Sequence, residues 1–220
     1  MNMLEFHFCG ATLMALGSGA LWWPENDLLC VSDLHLGKSE RFARRGAPPM
    51  PPYETRDTLD RLSRDMDETG AGTIVCLGDS FDDTQAASGL AEAEKLLITT
   101  LQAGKKWIWI EGNHDPGPVD LGGSHLVQFL QEPLVFRHIA ERDSQGEVSG
   151  HYHPKARLAA RGRSVARKCF LYDSSRLIMP AYGTYTGGLR STDDTLTQIM
   201  QPDAVAILTG PNPCAIPMPR

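Results

Sequence analysis

The 220-residue sequence predicts an α/β fold: a βαβαβ unit with parallel strands, extended by a further antiparallel or mixed sheet. Two observations carry this prediction. Between residues 28 and 110, short apolar runs alternate with two stretches of helical periodicity, whereas after Pro133 one strand-like run follows another. The length suits one domain with a sizeable core, so residues 1–220 are predicted to form a single domain.

The first predicted strand is Leu4–Phe8. The segment Cys9–Trp23 that follows faintly resembles the core of a signal peptide, but no Lys or Arg precedes it and glycines interrupt it. It is therefore predicted to form two short strands joined by a glycine turn, and the protein is expected to be cytoplasmic. The Trp22–Trp23 pair could belong to the core or to an interface, which leaves the oligomeric state open.

The βαβαβ unit is predicted from apolar runs bounded by turn residues and from two helical stretches. Its strands are Leu28–Ser32, Thr73–Leu77 and Trp107–Ile110. A helix is predicted over Tyr53–Glu68, where leucine and methionine recur at helical spacing and Gly70 ends the pattern. A second helix is predicted over Leu90–Gln102, with Gly104 after it. The proline-rich segment Ala47–Pro52 is predicted to be an extended lid or connector.

The later strands are predicted at Leu134–Arg137, Cys169–Tyr172 and Ala204–Thr209. Residues Gly210–Arg220 are rich in proline, and we expect them to be frayed. No apolar run is long enough to span a bilayer, so no membrane partner is expected.

Cysteine usage argues against a thiolate metal site. The five cysteines are odd in number and widely spaced, and no CxxC pair occurs. Cys30 and Cys76 fall inside apolar runs, where a reduced thiol behaves as a small hydrophobe.

The formal net charge of −6 does not favour nucleic-acid binding, but the positive charge is clustered. One basic cluster comprises Lys38, Arg41, Arg44 and Arg45. The other, free of Asp and Glu, comprises Lys155, Arg157, Arg161, Arg163, Arg167 and Lys168. Such clusters are more often solvated faces than binding sites, so their value depends on where they lie in the fold.

Chemistry-bearing residues follow the predicted strands, at the edge where open α/β sheets bind ligands. Asp33 and His35 follow the first strand of the βαβαβ unit and, two apart on an extended chain, project to one side. Gly78-Asp79-Ser80-Phe81-Asp82 follows the next strand, and Asp79 is placed there to serve two metal ions. Each motif alone could be simple turn chemistry.

Three more strand ends repeat this pattern. Gly112-Asn113-His114-Asp115 offers a neutral oxygen and a histidine suited to acid–base work, with a neighbouring carboxylate to orient it. His138 ends a later run, and Gly150-His151-Tyr152-His153 has metal-ligand spacing. Five strand ends with Asp, Asn or His make coincidence improbable. Oxygen and imidazole ligands without sulfur suit Mn, Fe, Zn or Mg, and two such ions suit in-line displacement at phosphorus.

In this order, DxH, GDxxD, GNHD, a single His and GHxH, the sequence resembles the calcineurin-like metallophosphoesterases. The resemblance implies a sandwich of two mixed β-sheets flanked by helices, with two divalent metal ions, Mn²⁺ first, at the strand ends. It implies a first metal site of Asp33, His35, Asp79 and His153. It implies a second of Asp79, Asn113, His138 and His151, with Asp79 shared. His114 matches the catalytic histidine, Asp115 its orienting partner, and Asp82 the second Asp of GDxxD.

A narrower resemblance covers nearly the whole chain. Gly150–Pro154, Lys168–Phe170 and Pro180–Gly188 are similar to signatures of a bacterial subgroup, the ligase-associated DNA damage response endonucleases (PdeM). This resemblance implies a phosphodiester substrate, DNA, and an association with an ATP-dependent DNA ligase and a helicase. Two alternatives stay open: a phosphatase or pyrophosphatase on nucleotides or other small phosphate esters, and a metal-binding, non-catalytic scaffold for the ligase or helicase.

Overall fold

The structure of the chain, a computed structural model, describes residues 2–48, 50–160 and 163–220. Two mixed β-sheets pack face to face and helices cover their outer faces, which confirms the predicted fold class. Among the described residues, no helix has the length and apolar character that crossing a membrane would require.

The first sheet has seven strands within the described residues, and their spatial order is their chain order. They are β1 (Met3–Phe8), β2 (Ala11–Leu16), β3 (Leu21–Trp23), β4 (Leu28–Val31), β5 (Thr73–Leu77), β6 (Lys106–Ile110) and β7 (Ser124–Leu126). Strands β1 to β4 pair antiparallel, and β4 to β7 pair parallel. The parallel part contains the predicted βαβαβ unit.

The second sheet contains eight strands in the same described ranges. They are β8 (Gln128–Gln131), β9 (Leu134–Arg137), β10 (Glu147–Ser149), β11 (Lys155–Ala160), β12 (Arg163–Tyr172), β13 (Arg176–Ile178), β14 (Val205–Leu208) and β15 (Cys214–Pro217). Their order is β15-β14-β12-β13-β10-β9-β8, and β11 pairs with β12. Strands β9, β10 and β13 run parallel, and the other pairs are antiparallel.

The helices are α1 (Lys38–Arg44), α2 (Glu54–Thr69), α3 (Thr84–Gly89), α4 (Glu92–Gln102) and α5 (Asp194–Ile199), with a 3-10 turn at Pro24–Asn26. Because side chains alternate along a strand, β4 is buried on both faces. Leu29 and Val31 pack under α2 and α4, whereas Leu28 and Cys30 pack against the second sheet. A third apolar cluster lies between that sheet and α5.

Two expectations about the ends of the chain have different outcomes. Cys9–Trp23 does form two strands joined by a glycine turn, and Trp23 lies in the core between the sheets. The expectation that Gly210–Arg220 is frayed is wrong, because β15 pairs with β14 along four residues. Met218 is buried in the third apolar cluster, and this burial holds the segment on the sheet.

Candidate metal centre

Both sheets bring polar side chains to one edge of the sandwich. Strands β4, β5 and β6 of the first sheet lead directly into the loops that carry the predicted residues from Asp33 to Asp115. Strands β9 and β10 of the second sheet lead into the loops that carry His138, His151 and His153. Carboxyl ends of parallel strands thus meet from two sheets, and the structure brings all ten predicted site residues to this edge.

One cluster joins Asp33, His35 and His153, whose candidate ligand atoms lie within 4.8 Å of one another. Nε2 of His153 is 2.9 Å from Oδ1 of Asp33, and Asp33 is fully buried. The Asp33 carboxylate accepts hydrogen bonds from Ser32 Oγ at 2.5 Å and from the His151 amide. We name this cluster the first position.

The second position joins Asp79, His138 and His151, again within 4.8 Å. Nε2 of His138 lies 3.3 Å from Oδ2 of Asp79. Oδ1 of Asn113 lies 3.0 Å from His138 Nε2 and 2.8 Å from His151 Nδ1, so Asn113 completes the group. His138 Nδ1 lies 3.1 Å from the carbonyl oxygen of Leu77, which leaves Nε2 to face the cluster.

A third group lies beside the first position and contains His35, Asp82 and His114. Asp82 Oδ1 is 2.9 Å from His35 Nδ1, and the Asp82 carbonyl oxygen is 2.9 Å from His114 Nδ1. The amide of His114 donates to Oδ1 of Asp79 at 2.8 Å. Asp82 therefore connects His35 of the first position to His114, the predicted catalytic histidine.

The donor atoms fit divalent cations. Both ring nitrogens of His35 and Nε2 of His153 are buried and make no hydrogen bond within the described part of the chain, although carboxylate oxygens lie about 3 Å away. Buried polar atoms normally have a hydrogen-bond partner, so buried nitrogens without one need another explanation. Imidazole nitrogens that face carboxylates across a small gap are the arrangement that binds a metal ion. Asp33, Asp79 and Asn113 add the oxygen ligands that hard divalent ions prefer.

Close packing at the strand ends explains the glycines of two motifs. A Cβ at Gly78 would lie 2.3 Å from Nδ1 of His138, and Gly78 has a φ of +74°. A Cβ at Gly150 would lie 2.0 Å from Ser32 Oγ and 2.6 Å from an oxygen of Asp33. Only glycine lets the two sheets approach closely enough to share ligands.

The predicted ligands themselves have left-handed backbone conformations. Positive φ angles occur at Asp33, His35, Asp79, His151 and His153, between +45° and +70°. Such conformations are uncommon outside glycine and cost on the order of 1–3 kcal/mol each, so they persist where surrounding contacts impose them. Backbone strain concentrated at five predicted ligands indicates a site selected for chemistry rather than for stability.

Charge within the site favours ionised carboxylates. Burial alone would raise the pKa of Asp79, but the hydrogen bond and charge of His138 and the amide of His114 lower it to about 2. Burial would also raise the pKa of Asp33, but the contact with His153, the charge of His138 and the hydrogen bond from Ser32 together lower it. Anionic ligands are the protonation state that a cation requires.

The predicted contact between Asp115 and the His114 ring is wrong. Asp115 accepts hydrogen bonds from the amides of Gly112, Ser80 and Phe81, at 2.8 to 3.1 Å. Its carboxylate is turned under the loops after β5 and β6, and burial raises its pKa to about 6. The Asp82 carbonyl oxygen, not Asp115, is the partner of the His114 ring.

Helix α1 supplies contacts that the motifs did not reveal. Nη1 of Arg41 lies 2.6 Å from Oδ2 of Asp82, and Nζ of Lys38 lies 3.8 Å from its Oδ1. Burial would raise the pKa of Asp82, but His35, Arg41 and Lys38 lower it to about 2. The only sequence signal was the basic cluster that closely follows His35.

The two basic clusters therefore lie in different surroundings. In the first, Arg44 also pairs with Asp83 and Glu40. The second lies on β11 and β12, beginning two residues after His153. Arg161 falls outside the described residues, as does Pro49 of the predicted lid Ala47–Pro52.

Comparison with known proteins identifies the family of this chain. A family model described as calcineurin-like phosphoesterase matches residues 27–200. Among solved structures, the nuclease MPE of Pseudomonas putida aligns with a TM-score of 0.73 and 28% identity, over 97% of this chain and 100% of that chain. Yfce, a phosphoesterase from E. coli, aligns with a TM-score of 0.40 and 14% identity, over 87% and 99%. No curated protein matched the sequence.

Proposed function

The chain belongs to the calcineurin-like phosphoesterase family, and we propose that it is a phosphodiesterase that cleaves nucleic acid, with DNA as its substrate, using two divalent metal ions. The observation that carries the proposal is the pairing of the two clusters, Asp33–His35–His153 and Asp79–His138–His151, at one edge of the sandwich. The full-length likeness to a nuclease at 28% identity supports nucleic acid over other phosphate esters.

We assign the ligands as follows. The first metal is held by Asp33, His35, Asp79 and His153, and the second by Asp79, Asn113, His138 and His151. Mn²⁺ is the proposed native ion, with Fe, Zn or Mg as substitutes that the same donor set accepts. When bound, two such ions neutralise charge on the phosphate and lower the pKa of water. Because the second sheet supplies three of the seven ligands, residues 1–220 are proposed to work as one domain.

His114 is proposed to protonate the leaving oxygen. A carbonyl oxygen only accepts, so the contact with the Asp82 carbonyl oxygen fixes the proton of the neutral ring on Nδ1. A second proton on Nε2 then makes that nitrogen the one able to donate to substrate. Asp82 is a positioning residue in this scheme, because it contacts both His35 and His114. Asp115 positions the loops after β5 and β6 through three amides.

The cellular setting follows from the narrower resemblance. We propose a cytoplasmic role in DNA repair, beside an ATP-dependent DNA ligase and a helicase. The similarity of Gly150–Pro154 and Pro180–Gly188 to the PdeM signatures supports this assignment. In the second segment, the amides of Gly183 and Tyr182 donate hydrogen bonds to the carbonyl oxygens of Asp33 and Ser32. This segment therefore packs directly against the backbone of the first position.

Hydrolysis of an aryl phosphodiester and of labelled single-stranded DNA, with Mn²⁺ or with EDTA, tests the proposal. Two variants accompany the wild type: His138→Ala, which removes a proposed ligand, and His7→Ala, the same change at an exposed site on β1. We expect Mn²⁺-dependent cleavage of both substrates by the wild type and by His7→Ala, and its loss in His138→Ala.

Other outcomes reassign the function. Cleavage of the aryl ester without DNA cleavage would replace the nuclease by an enzyme acting on nucleotides or other small phosphates. No hydrolysis of either substrate by a protein with both metals bound would leave a non-catalytic scaffold in place of an enzyme.

A further inference from the structure

A cavity of about 480 Å³ lies beside the first position, outside the proposed metal ligands. Three cations line it: Lys155 and Arg157 from β11, and Arg190 from the loop before α5. Lys155 and Arg157 are two apart on a strand and therefore project to the same side. Lys155 and Arg190 are joined by a β-bridge, which brings the third cation to the same wall.

The wall of the cavity is continuous with the first position. Gly188 lines the cavity, and a Cβ there would lie 2.0 Å from the carbonyl oxygen of His153. Lys155 follows His153 by two residues, which span at most about 7 Å of extended chain. Backbone hydrogen bonds from Lys155 to Leu189 and from Leu189 to Tyr152 fasten the two segments together. The cavity therefore adjoins the proposed metal centre through hydrogen-bonded backbone.

The charge of the cavity is uncompensated. Across residues 2–48, 50–160 and 163–220, no carboxylate lies within ion-pair distance of Lys155, Arg157 or Arg190, and neither Asp nor Glu lines the cavity. Ser191 and Thr192 add hydroxyl groups to the wall. In a chain of formal net charge −6, a concave group of three unpaired cations concentrates positive potential at one place. Cations with hydroxyl donors are the chemistry that recognises phosphate.

We propose that this cavity, which we name the basic pocket, binds a backbone phosphate of the substrate strand next to the phosphodiester that is cleaved. The inference rests on the proposed nuclease function and adds to it the place where the flanking strand is held. The pocket is assigned to the backbone rather than to the bases, because cations and hydroxyl donors most often contact phosphate oxygens, which every nucleotide carries. A small diester does not reach the pocket, so only a strand substrate depends on it.

Binding of fluorescein-labelled oligo-dT and oligo-dA in EDTA, followed by fluorescence anisotropy across a salt series, tests the pocket without turnover. The variant is Arg157→Gln/Arg190→Gln, which changes two exposed side chains. The matched control is Arg64→Gln/Lys95→Gln, which removes the same charge from α2 and α4 at two residues that do not line the pocket. Hydrolysis of an aryl phosphodiester in Mn²⁺ is measured for all three proteins.

We expect the pocket variant to bind both oligonucleotides about tenfold more weakly, because the substitutions remove two cations that can donate charge-assisted hydrogen bonds to the phosphate. The slope of log K against log salt should fall by about 0.7 for each backbone phosphate that the variant no longer neutralises. The control should match the wild type, and aryl ester hydrolysis should be equal in all three proteins.

Equal DNA affinity and slope in the pocket variant and the control would overturn the proposal, as would a failure of the wild type to bind either oligonucleotide in EDTA. A loss of affinity confined to one oligonucleotide would also overturn it, because recognition of phosphate is blind to sequence. These outcomes are separate from failure of the proposed catalytic function, which appears as absent aryl ester hydrolysis in the wild type.

Discussion

Two regions rich in Lys and Arg flank the metal centre, and they differ in what surrounds the charge. On α1, Lys38, Arg41 and Arg44 pair with Asp82, Asp83 and Glu40. In the basic pocket, Lys155, Arg157 and Arg190 have no carboxylate partner within the described ranges. In the sequence, Lys155 and Arg157 stand in a basic cluster much like that of α1, and only the fold adds Arg190 to them. Because their carboxylate partners hold them, the cations of α1 support the site. The cations of the pocket have no such partners and are available to a ligand.

The largest expected effect is that of removing His114, which should affect catalysis but not the DNA binding attributed to the basic pocket. His114→Ala should lower kcat for DNA cleavage by roughly 10²–10⁴, because it removes the proposed proton donor. Its affinity for single-stranded DNA in EDTA should equal that of the wild type. Stopped-assay rates on DNA and on an aryl diester measure this, and the decrease should be smaller for the aryl ester, whose leaving group needs no proton. Equal decreases on both substrates would remove the general-acid assignment.

The next effect tests whether α1 has a structural role. Asp82→Ala removes the nearest carboxylate of Arg41 and frees His35, so we expect a decrease of about 3 kcal/mol in the free energy of unfolding. Urea denaturation in EDTA measures it. Asp60→Ala, which breaks the exposed pair with Arg56, is the matched control and should cost less than about 1 kcal/mol. If both variants are destabilised by the same small amount, the α1 network is an ordinary surface network.

Lys168 is an exception within the second basic cluster, because its side chain is partly buried and hydrogen-bonded inside the protein. Its Nζ donates to the carbonyl oxygens of Ala181 and Gly183 at 2.8 and 2.7 Å. Burial, with the charges of Arg61 and Lys155, lowers its pKa to about 7. Between this pKa and its ordinary value of 10.5, the unfolded chain binds a proton that the folded chain does not.

Stability relative to Lys168→Met should therefore rise with pH between about 7 and 10, by at most about 1.4 kcal/mol per pH unit. Chemical denaturation of both proteins at several pH values measures the difference. A difference that stays flat across this range would mean that Lys168 is charged in the folded protein and solvated like the pocket cations.

The smallest effect compares one cation from each region. Arg44→Gln removes an exposed cation paired with Asp83 and Glu40, and should lower the free energy of unfolding only slightly. It should leave the salt dependence of DNA binding unchanged. Arg190→Gln should do the reverse, with unaltered stability and a smaller salt slope. Identical salt slopes for the two variants would erase the distinction between the regions.

Much of the fold was predictable because local pattern and tertiary environment agree. Strands such as β4 and β5 are short apolar runs since both of their faces are buried, and α2 carries an apolar stripe toward the first sheet. The strand β15 was not predictable, because only two of its side chains, Cys214 and Ile216, are partly buried and the surrounding segment is rich in proline.

The candidate site divides in the same way. Its residues were predictable because glycine and polar residues follow successive strands, and strand ends meet in space. The contacts between them were not. Arg41 reaches Asp82 across 41 positions of sequence, and Asp115 binds amides of a loop 34 and 35 positions away. Local spacing suggested that Asp115 would hold His114, whereas the loop conformation turns the carboxylate away.

The central claim is that two metal ions share Asp79 at the junction of the two sheets. The most direct measurement is the Mn²⁺ bound per chain at saturation, by calorimetric titration of the metal-free protein, for the wild type and Asp79→Ala. We predict two ions for the wild type and weakened binding at both positions in Asp79→Ala, with fewer than two ions bound, because the shared ligand is removed from each. One ion or none in the wild type, or two in the variant, would contradict the account.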